Sequence, residues 1–244
     1  MNVALCLSGE LRRVKLFYPA IKKHILDPYQ PDVFISTWGM PENIATSRAN
    51  THRDPTEIAT IEEALDMFKP VATYTQQYSL DIKKNLKSYG NTPHDNLLCM
   101  SYHILQSITL ATHRALLLGQ DYDLIIRYRF DYAVRIKFED YPLDHINIPD
   151  EHAYGGYQDQ FAFGNMKAMA IYGTWFHHLP NIENYLAQTK RLPTSQTNRP
   201  GMPWHPESAL KRYLTSVTTS VNLIQNVDIR YPWCTKEEIE ELYD

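Results

Sequence analysis

Charged residues follow a short apolar run near the middle of the chain, in the sequence Arg127-Tyr128-Arg129-Phe130-Asp131. Alternate side chains of a strand point to one face, so an extended segment would bring Arg127, Arg129 and Asp131 together. Guanidinium groups bind phosphate through paired hydrogen bonds, and a carboxylate can hold a divalent cation that phosphates also coordinate. The segment therefore predicts a pyrophosphate site in which Asp131 is a candidate metal ligand. The alternative is an internal Arg–Asp ion pair that closes the strand.

A second group of phosphate-binding residue types lies near the N-terminus, in Ser8-Gly9-Glu10-Leu11-Arg12-Arg13. Gly9 allows a ligand to approach the backbone closely, Ser8 offers a hydroxyl, and Arg12 offers a guanidinium fork. Thr37 ends another apolar run and adds a second hydroxyl. These residues predict further contacts to a phosphate, although a solvated surface loop accounts for the N-terminal ones equally well.

Three residues in the second half of the chain are candidates for a general base. Asp159 stands between two glutamines, and His205 and Glu207 flank Pro206 just before a helical pattern. A carboxylate or an imidazole can take the proton of an attacking hydroxyl. The structural alternatives are a turn or helix cap for Asp159 and a favourable helix-dipole position for Glu207. The pair His177-His178 has no ligand partner at a useful spacing, so it does not indicate a metal site.

The elements that would position these residues alternate between strands and helices. Apolar and β-branched runs predict strands at residues 3–7, 32–38, 71–74 and 123–134, and helical periodicity predicts helices at residues 16–26, 60–68 and 96–118. This alternation predicts an α/β fold with a mostly parallel, Rossmann-like sheet flanked by helices. Ligands of such sheets bind outside the carboxyl ends of the strands, where the two phosphate-binding segments and Thr37 are expected.

The pattern becomes less regular after residue 134. Residues 161–163 and 169–172 fit either short strands or parts of a helix, whereas residues 182–192, 207–214 and 236–243 are predicted to be helical. Polar loops are predicted at residues 39–55, 79–95 and 193–206. No repeat or low-complexity linker divides the 244 residues, so a single domain is expected.

Composition narrows the class of protein further. A net charge of -4 and an isoelectric point near 6.2 argue against broad nucleic-acid binding. Three widely spaced cysteines without a CxxC pattern indicate neither disulfides nor structural zinc, and they fit a reducing, cytoplasmic compartment. The N-terminal apolar run is too short for a membrane span. The GxSxG, Walker A and HExxH motifs are all missing from the sequence, which weakens hydrolase, NTPase and metalloprotease interpretations.

Several of these segments together resemble a known family. They are SGxxR after the first strand, DVFISTW, a long helix with Tyr102 and Gln106, YDLIIRYRFD, DQFAFG and HPExxLxxYL. In this order they are similar to GT-A-fold glycosyltransferases of surface-polysaccharide synthesis, WavE-like lipopolysaccharide proteins among them. The resemblance covers about residues 3–214, and each motif is short.

The resemblance implies a nucleotide-diphosphate-sugar donor, a glycan or lipid-linked acceptor, and an enzyme that lies in the cytoplasm, also at a membrane surface. It implies a nucleotide-binding half at residues 1–134 and an acceptor-side half with C-terminal helices at residues 135–244. The implied donor and phosphate contacts are Ser8, Gly9, Arg12, Thr37, Gln106, Arg127 and Arg129, and the candidate catalytic residues are Asp159, Glu207 and His205. The expected reaction is a single displacement that inverts the anomeric carbon.

The family's metal motif is altered in this chain. Members usually hold Mn²⁺ or Mg²⁺ on an Asp-x-Asp motif, whereas here Arg129-Phe130-Asp131 stands in its place and the first carboxylate is missing. Either Asp131 alone holds the cation, or Arg127 and Arg129 neutralise the leaving diphosphate instead. Two other functions stay open. One is a non-catalytic nucleotide- or carbohydrate-binding module, and the other is a nucleotidyltransferase, although the N-terminal loop has only one glycine and no lysine.

Overall fold

The central sheet of the protein has seven strands and contains residues from both halves of the chain. The structure is a computed structural model, and it describes residues 1–39, 57–77, 95–151, 153, 156–179, 206–217 and 220–243. In spatial order the strands are β3 (Ala72–Gln77), β2 (Asp32–Gly39), β1 (Val3–Ser8), β4 (Leu124–Tyr128), β7 (Phe161–Gly164), β6 (Ile146–Pro149) and β8 (Val221–Ile224). A further pair, β5 (Ala133–Arg135) and β9 (Asp228–Arg230), forms a small antiparallel sheet.

The direction of the strands determines which residues share an edge of the sheet. β1 is parallel to β2 and β4, and β2 is parallel to β3. β7 alone runs in the opposite direction, because it is antiparallel to both β4 and β6, and β8 is parallel to β6. The expected mostly parallel sheet is therefore confirmed, with one reversed strand. Its reversal places the start of β7 beside the carboxyl ends of its neighbours.

Helices cover both faces of the sheet. On one face lie α1 (Val14–Ile21), its π-helical continuation (Lys22–Leu26), the short α2 (Asp27–Tyr29), α3 (Ile61–Phe68) and α7 (Lys236–Glu240). On the other face lie α4 (Asp95–Leu118), α5 (Met166–Gly173) and α6 (Pro206–Ser216). Short 3₁₀ helices occur at Phe138–Asp140 and Glu241–Tyr243. β1 and β4 are buried along their whole length because both faces are covered, which explains their unbroken apolar runs.

The predicted strand at residues 123–134 is wrong in its second half. β4 ends at Tyr128, residues 130 and 131 form a turn, and the chain then enters β5 in the small sheet. The backbone N–H of Val134 donates to the hydroxyl of Tyr128 at 3.0 Å, which fixes this reversal. In the sequence, apolar and polar residues continue to alternate through the turn, and the apolar residues Phe130 and Tyr132 are both buried. The sequence pattern therefore hides the turn.

Other predictions from the pattern fare differently. Residues 161–163 belong to a strand and residues 169–172 to a helix, which resolves the two open cases, and helices are confirmed near residues 16–26, 60–68, 96–118, 207–214 and 236–243. The short strands β6 and β8 were not predicted. The predictions for residues 40–55, 79–94 and 182–205 lie outside the described residues. No helix in the described ranges combines the length and the apolar character that a membrane span requires.

Candidate functional site

The candidate residues meet where the strand order changes direction. From β1 the chain moves outward to β2 and β3, and it then returns to place β4 on the other side of β1. In open α/β sheets, ligands bind outside the carboxyl ends of the strands at such a point, which here is the crevice between the ends of β1 and β4. Ser8 ends β1, Arg127 lies near the end of β4, and Asp159 comes just before the reversed strand β7. The topology thus brings three separate segments of the sequence to one edge.

Asp131 lies between two arginines at this edge. Its carboxylate accepts a hydrogen bond from Nε of Arg12 at 2.6 Å and a second, shorter one from Nε of Arg129. The Asp131 side chain is fully buried, whereas the side chains of Arg12 and Arg129 are 23% and 14% exposed. The two guanidinium groups therefore extend from a buried carboxylate towards the surface. The structure therefore contains the internal Arg–Asp ion pair that the sequence offered as the alternative to a phosphate site.

The geometry of these ion pairs leaves hydrogen-bond donors available. Both arginines use Nε, and the Nη nitrogens of Arg129 donate no hydrogen bond within the described part of the chain. For Arg12, Nη1 lies 3.7 Å from Glu10 Oε2, which is a long ion-pair contact. Burial alone would lower the pKa of Arg12, but the carboxylates of Asp131, Glu10 and Asp159 raise it above its ordinary value. Both guanidiniums are thus held in place by Asp131 through Nε.

Arg127 is the most unusual charge in the site because its side chain is fully buried. Its Nη1 donates to the backbone carbonyl of Gln160, but Nε and Nη2 have no partner within the described residues. Burial lowers the pKa of Arg127, and its charge interacts with the hydroxyl of Tyr172 and with the carboxylate of Asp159. A buried guanidinium with unused donors is costly to the folded protein. Its retention needs a reason other than stability.

Asp159 comes just before β7, and its charge acts on both Arg127 and Arg12. Asp159 is 3% exposed, and it makes no hydrogen bond or ion pair with any residue that the structure describes. The charge of Asp159 contributes to the raised pKa values of Arg12 and Tyr172. Tyr172 also interacts with the charge of Glu207, which is 5% exposed in the first turn of α6. The charges of two carboxylates and one buried arginine therefore all act on the Tyr172 hydroxyl.

The backbone fixes the first turn of α6 against the segment that leads to Asp159. The N–H of Tyr157 donates to the carbonyl of Glu207 at 3.0 Å. At Gly156, an added Cβ would lie 2.1 Å from the Glu207 carbonyl carbon, so only glycine fits there. Glu207 and Asp159 thus have their relative places set by a close backbone contact.

The residues at the ends of β1 and β2 form a backbone turn beside the arginines. Gly9 has a φ of 122°, a conformation that side chains disfavour, and its N–H donates to the carbonyl of Ser36 at 3.2 Å. The Thr37 hydroxyl donates to the Gly9 carbonyl at 2.7 Å, so Thr37 supports the turn. The Ser8 hydroxyl is buried and has no hydrogen-bond partner within the described residues. Ser8 and Gly9 therefore belong to the crevice, with Thr37 behind them.

One predicted site residue in the described ranges, Gln106, is not joined to this cluster. Gln106 is half-buried on α4, and its side chain makes no hydrogen bond with any residue that the structure describes. His205 lies outside the described residues. The remaining predicted residues, which are Ser8, Gly9, Arg12, Thr37, Arg127, Arg129, Asp131, Asp159 and Glu207, all belong to the crevice or to its immediate support.

The geometry at Asp131 does not fit a divalent cation. Each of its oxygens accepts an N–H from a guanidinium, so a cation would have to displace or approach two positive charges. Nowhere in the described ranges do three His, Cys, Asp or Glu side chains lie together as a ligand set. Arginine, rather than a metal on Asp131, is the positive charge that these residues offer to an anion.

Sequence reasoning missed two residues that the structure places at or near this edge. Tyr172 is one of many aromatic residues with helical spacing, so nothing in the pattern separates it from the core. Gly156 carries no chemistry of its own, and its contact with a residue 51 positions away leaves no local signal. A search against protein-family models found no match to the chain, and a search of curated proteins found none either.

Proposed function

We propose that this chain is a GT-A-type glycosyltransferase that uses arginines in place of the metal. It moves a sugar from a nucleotide-diphosphate donor to an acceptor hydroxyl in the synthesis of a surface glycan. One observation carries the proposal, which is the pairing of Arg12 and Arg129 through their Nε atoms to the buried Asp131. Their Nη donors, next to the buried charge of Arg127, suit an anion with two phosphates.

The chemistry assigned to these residues is a single displacement at the anomeric carbon. The acceptor oxygen forms a bond to that carbon as the bond to the donor diphosphate breaks, and the anomeric centre is inverted. Arg12 and Arg129 stabilise the charge that develops on the departing nucleoside diphosphate, and Arg127 adds to the positive field. Asp159 takes the proton of the acceptor hydroxyl, because it is a nearly buried carboxylate whose charge interacts with that of Arg127.

Glu207 is the other candidate for the base. Burial raises the pKa of the Tyr172 hydroxyl, and the charges of both carboxylates raise it further. The pair of variants Asp159→Asn and Glu207→Gln separates their roles, because each removes only the charge. We expect Asp159→Asn to reduce sugar transfer by about a hundredfold or more while it leaves donor binding unchanged. If Glu207→Gln gives that result instead, the role of base passes to Glu207.

Donor binding tests the proposal itself. Ligands that bind the native state raise the melting temperature, so a thermal-shift screen of UDP, GDP, CMP and dTDP sugars in EDTA and in Mn²⁺ identifies the donor class. We expect one nucleoside class to raise the melting temperature equally in both conditions. The variant Arg129→Ala should abolish the shift. The matched control is Arg135→Ala, which removes an exposed arginine paired to Asp228 at 2.7 Å and should leave the shift intact. No shift with any nucleotide would overturn the proposal.

A second candidate is a binding module of the same fold that lacks turnover. The engagement of both Asp131 oxygens by arginine favours this candidate, because the family's metal would then be replaced by fixed charges. Release of nucleoside diphosphate from the donor separates the two. Donor binding without release, in the presence of a panel of glycan acceptors, would favour the binding module.

A further inference from the structure

Trp233 differs from the other exposed apolar residues of the protein in its surroundings. It is 56% exposed, and its ring stacks on Tyr231 with centroids 4.7 Å apart and planes within 2° of parallel. Of the other large exposed apolar residues in the described ranges, Leu223 lies on the edge strand β8. The rest come just before β1, β3 and β4, at the amino edge of the sheet, and they are Met1, Val71, Leu116, Leu117 and Leu118. Trp233 is thus set apart from the other exposed apolar side chains of the described ranges.

The turn that carries Trp233 is fastened to the crevice at two places. Nη1 of Arg13 donates to the carbonyls of Pro232 and Cys234, the latter at 3.0 Å, and Arg13 is the neighbour of Arg12. The hydroxyl of Tyr231 accepts a hydrogen bond from Gln158 Nε2 at 3.2 Å, and Gln158 is the neighbour of Asp159. Hydrogen bonds therefore connect the aromatic stack to the residues that follow Arg12 and precede Asp159 in the sequence.

The groups around the stack are polar. Tyr231 donates to Glu151 at 3.5 Å, and Arg13 is paired with Glu57 at 2.6 Å. A pyranose ring presents an apolar face of C–H groups and a rim of hydroxyls, so it suits an aromatic face with hydrogen-bonding groups at its border. A protein partner or a membrane would favour a broader apolar surface than one indole.

We propose that Trp233, supported by Tyr231, is a platform for a saccharide ring of the acceptor. This inference rests on the proposed function, because it names the side on which the acceptor glycan lies. The ring would stack on the indole while the next sugar of the chain extends towards Asp159. The platform is separate from the donor contacts, since none of Arg12, Arg127 and Arg129 belongs to the stack.

The test measures saccharide binding apart from donor binding. A panel of free disaccharides, namely cellobiose, lactose, maltose and chitobiose, is titrated into the full chain by calorimetry. We expect at least one to bind, Trp233→Ala to weaken it by about tenfold or more, and Trp233→Phe to retain most of the affinity. The matched control is Leu117→Ala, which truncates a side chain that is 83% exposed at the other edge of the sheet. It should have no effect.

The outcomes separate the platform from the donor site. If no disaccharide binds the unaltered chain, or if Trp233→Ala binds as well as the unaltered chain does, the platform is overturned. In the thermal-shift screen, Trp233→Ala should leave the nucleotide-induced shift unchanged, and loss of that shift would contradict the separation of the two sites. If a disaccharide binds through Trp233 while no nucleotide binds at all, the saccharide platform stands and the glycosyltransferase proposal fails.

Discussion

Asp131 organises the site through the particular nitrogen atoms that it accepts. Because both arginines are held by Nε, each guanidinium keeps Nη donors directed away from the bond that fixes it. An arginine held in this way has lost much of its rotamer freedom before a ligand arrives, which reduces the entropy cost of binding. At the scale of a residue, the proposed function makes Asp131 a positioning residue whose effect on a donor would pass through Arg12 and Arg129.

Replacement of Asp131 by Asn should weaken donor binding and turnover together. The amide offers one acceptor in place of two charged oxygens, so one guanidinium loses its anchor and two positive charges lose their counter-charge. We expect turnover to fall well over tenfold, and the free energy of unfolding to fall by about 3 kcal/mol, as for a broken buried ion pair. Donor hydrolysis and urea unfolding measure the two. The loss should be equal in EDTA and in Mn²⁺, and a loss that occurs only with Mn²⁺ would return Asp131 to the role of metal ligand.

Arg127 should contribute to function at the expense of stability. Its replacement by Met keeps the length of the side chain and removes a buried charge with two unused nitrogens, and the Gln160 carbonyl still accepts the N–H of Arg129 at 3.1 Å. We expect Arg127→Met to change the free energy of unfolding by less than about 1 kcal/mol or to raise it. The same variant should lose the nucleotide-induced shift in melting temperature. A strong loss of stability together with normal donor binding would make Arg127 a structural residue.

At the scale of elements, the sequence predicts what periodicity encodes. β1, β2 and α4 have long, regular apolar patterns, and their positions agree with the structure within a few residues. The end of β4 was missed because Phe130 and Tyr132 keep the alternation through the turn. Asp159 could be selected as a candidate, but its place beside Arg127 depends on the reversed direction of β7. A reversal of one strand is a property of the whole sheet and leaves no local mark in the sequence.

The close contact between Gly156 and the start of α6 gives a prediction at this scale. A methyl group at Gly156 would lie 2.1 Å and 2.2 Å from the carbonyl atoms of Glu207, and backbone atoms cannot give way as a side chain can. We expect Gly156→Ala to lower the free energy of unfolding by about 1–3 kcal/mol. It should also speed hydrogen exchange of the amides in α6 and reduce turnover, because Glu207 and the segment before Asp159 move apart.

The control for this prediction is a glycine whose φ is positive but whose surroundings leave room for a side chain. Gly119 has a φ of 63° and nothing within 4 Å of an added Cβ. Gly119→Ala should therefore lower the free energy of unfolding by about 1–2 kcal/mol through backbone strain, with hydrogen exchange in α6 and turnover unchanged. If both variants leave α6 equally protected, the contact at Gly156 does not fix that helix.

At the scale of the whole molecule, a hydrophobic core on each face stabilises one sheet. The candidate site contains residues from both halves of the sequence. Phe17 and Phe130 belong to the core on one face, and Ile104 and Tyr172 belong to the core on the other. Arg12 and Arg127 come from the first half of the sequence, whereas Asp159 and Glu207 come from the second. The division at residue 134 that the sequence suggested stays a prediction about roles, since the strands of both halves share one sheet.

The stability of the molecule should depend on the pH because of His103, which lies on α4 in the second core. Its ring is fully buried, with Nδ1 2.7 Å from the Ser36 hydroxyl and the Trp38 ring at 4.3 Å between centroids. Burial lowers the pKa of His103 to about 3, so the imidazole is neutral in the folded protein. In the unfolded chain the pKa is near 6.5, so the unfolded state binds a proton that the folded state does not. Stability is therefore fully present above pH 6.5 and is lost as the pH falls below it.

The variant His103→Gln isolates this contribution. Glutamine can keep a hydrogen bond to Ser36 but does not titrate, and every other ionisable group is common to both proteins, so it cancels in their difference. The difference in the free energy of unfolding between the unaltered chain and the variant should shrink by about 1.4 kcal/mol for each pH unit below 6.5, which is about 2 kcal/mol at pH 5. Urea unfolding at several values between pH 7.5 and pH 5, with equal m-values, measures it. A difference that stays constant over this range would mean that the His103 imidazole accepts a proton as readily in the folded protein as in the unfolded chain.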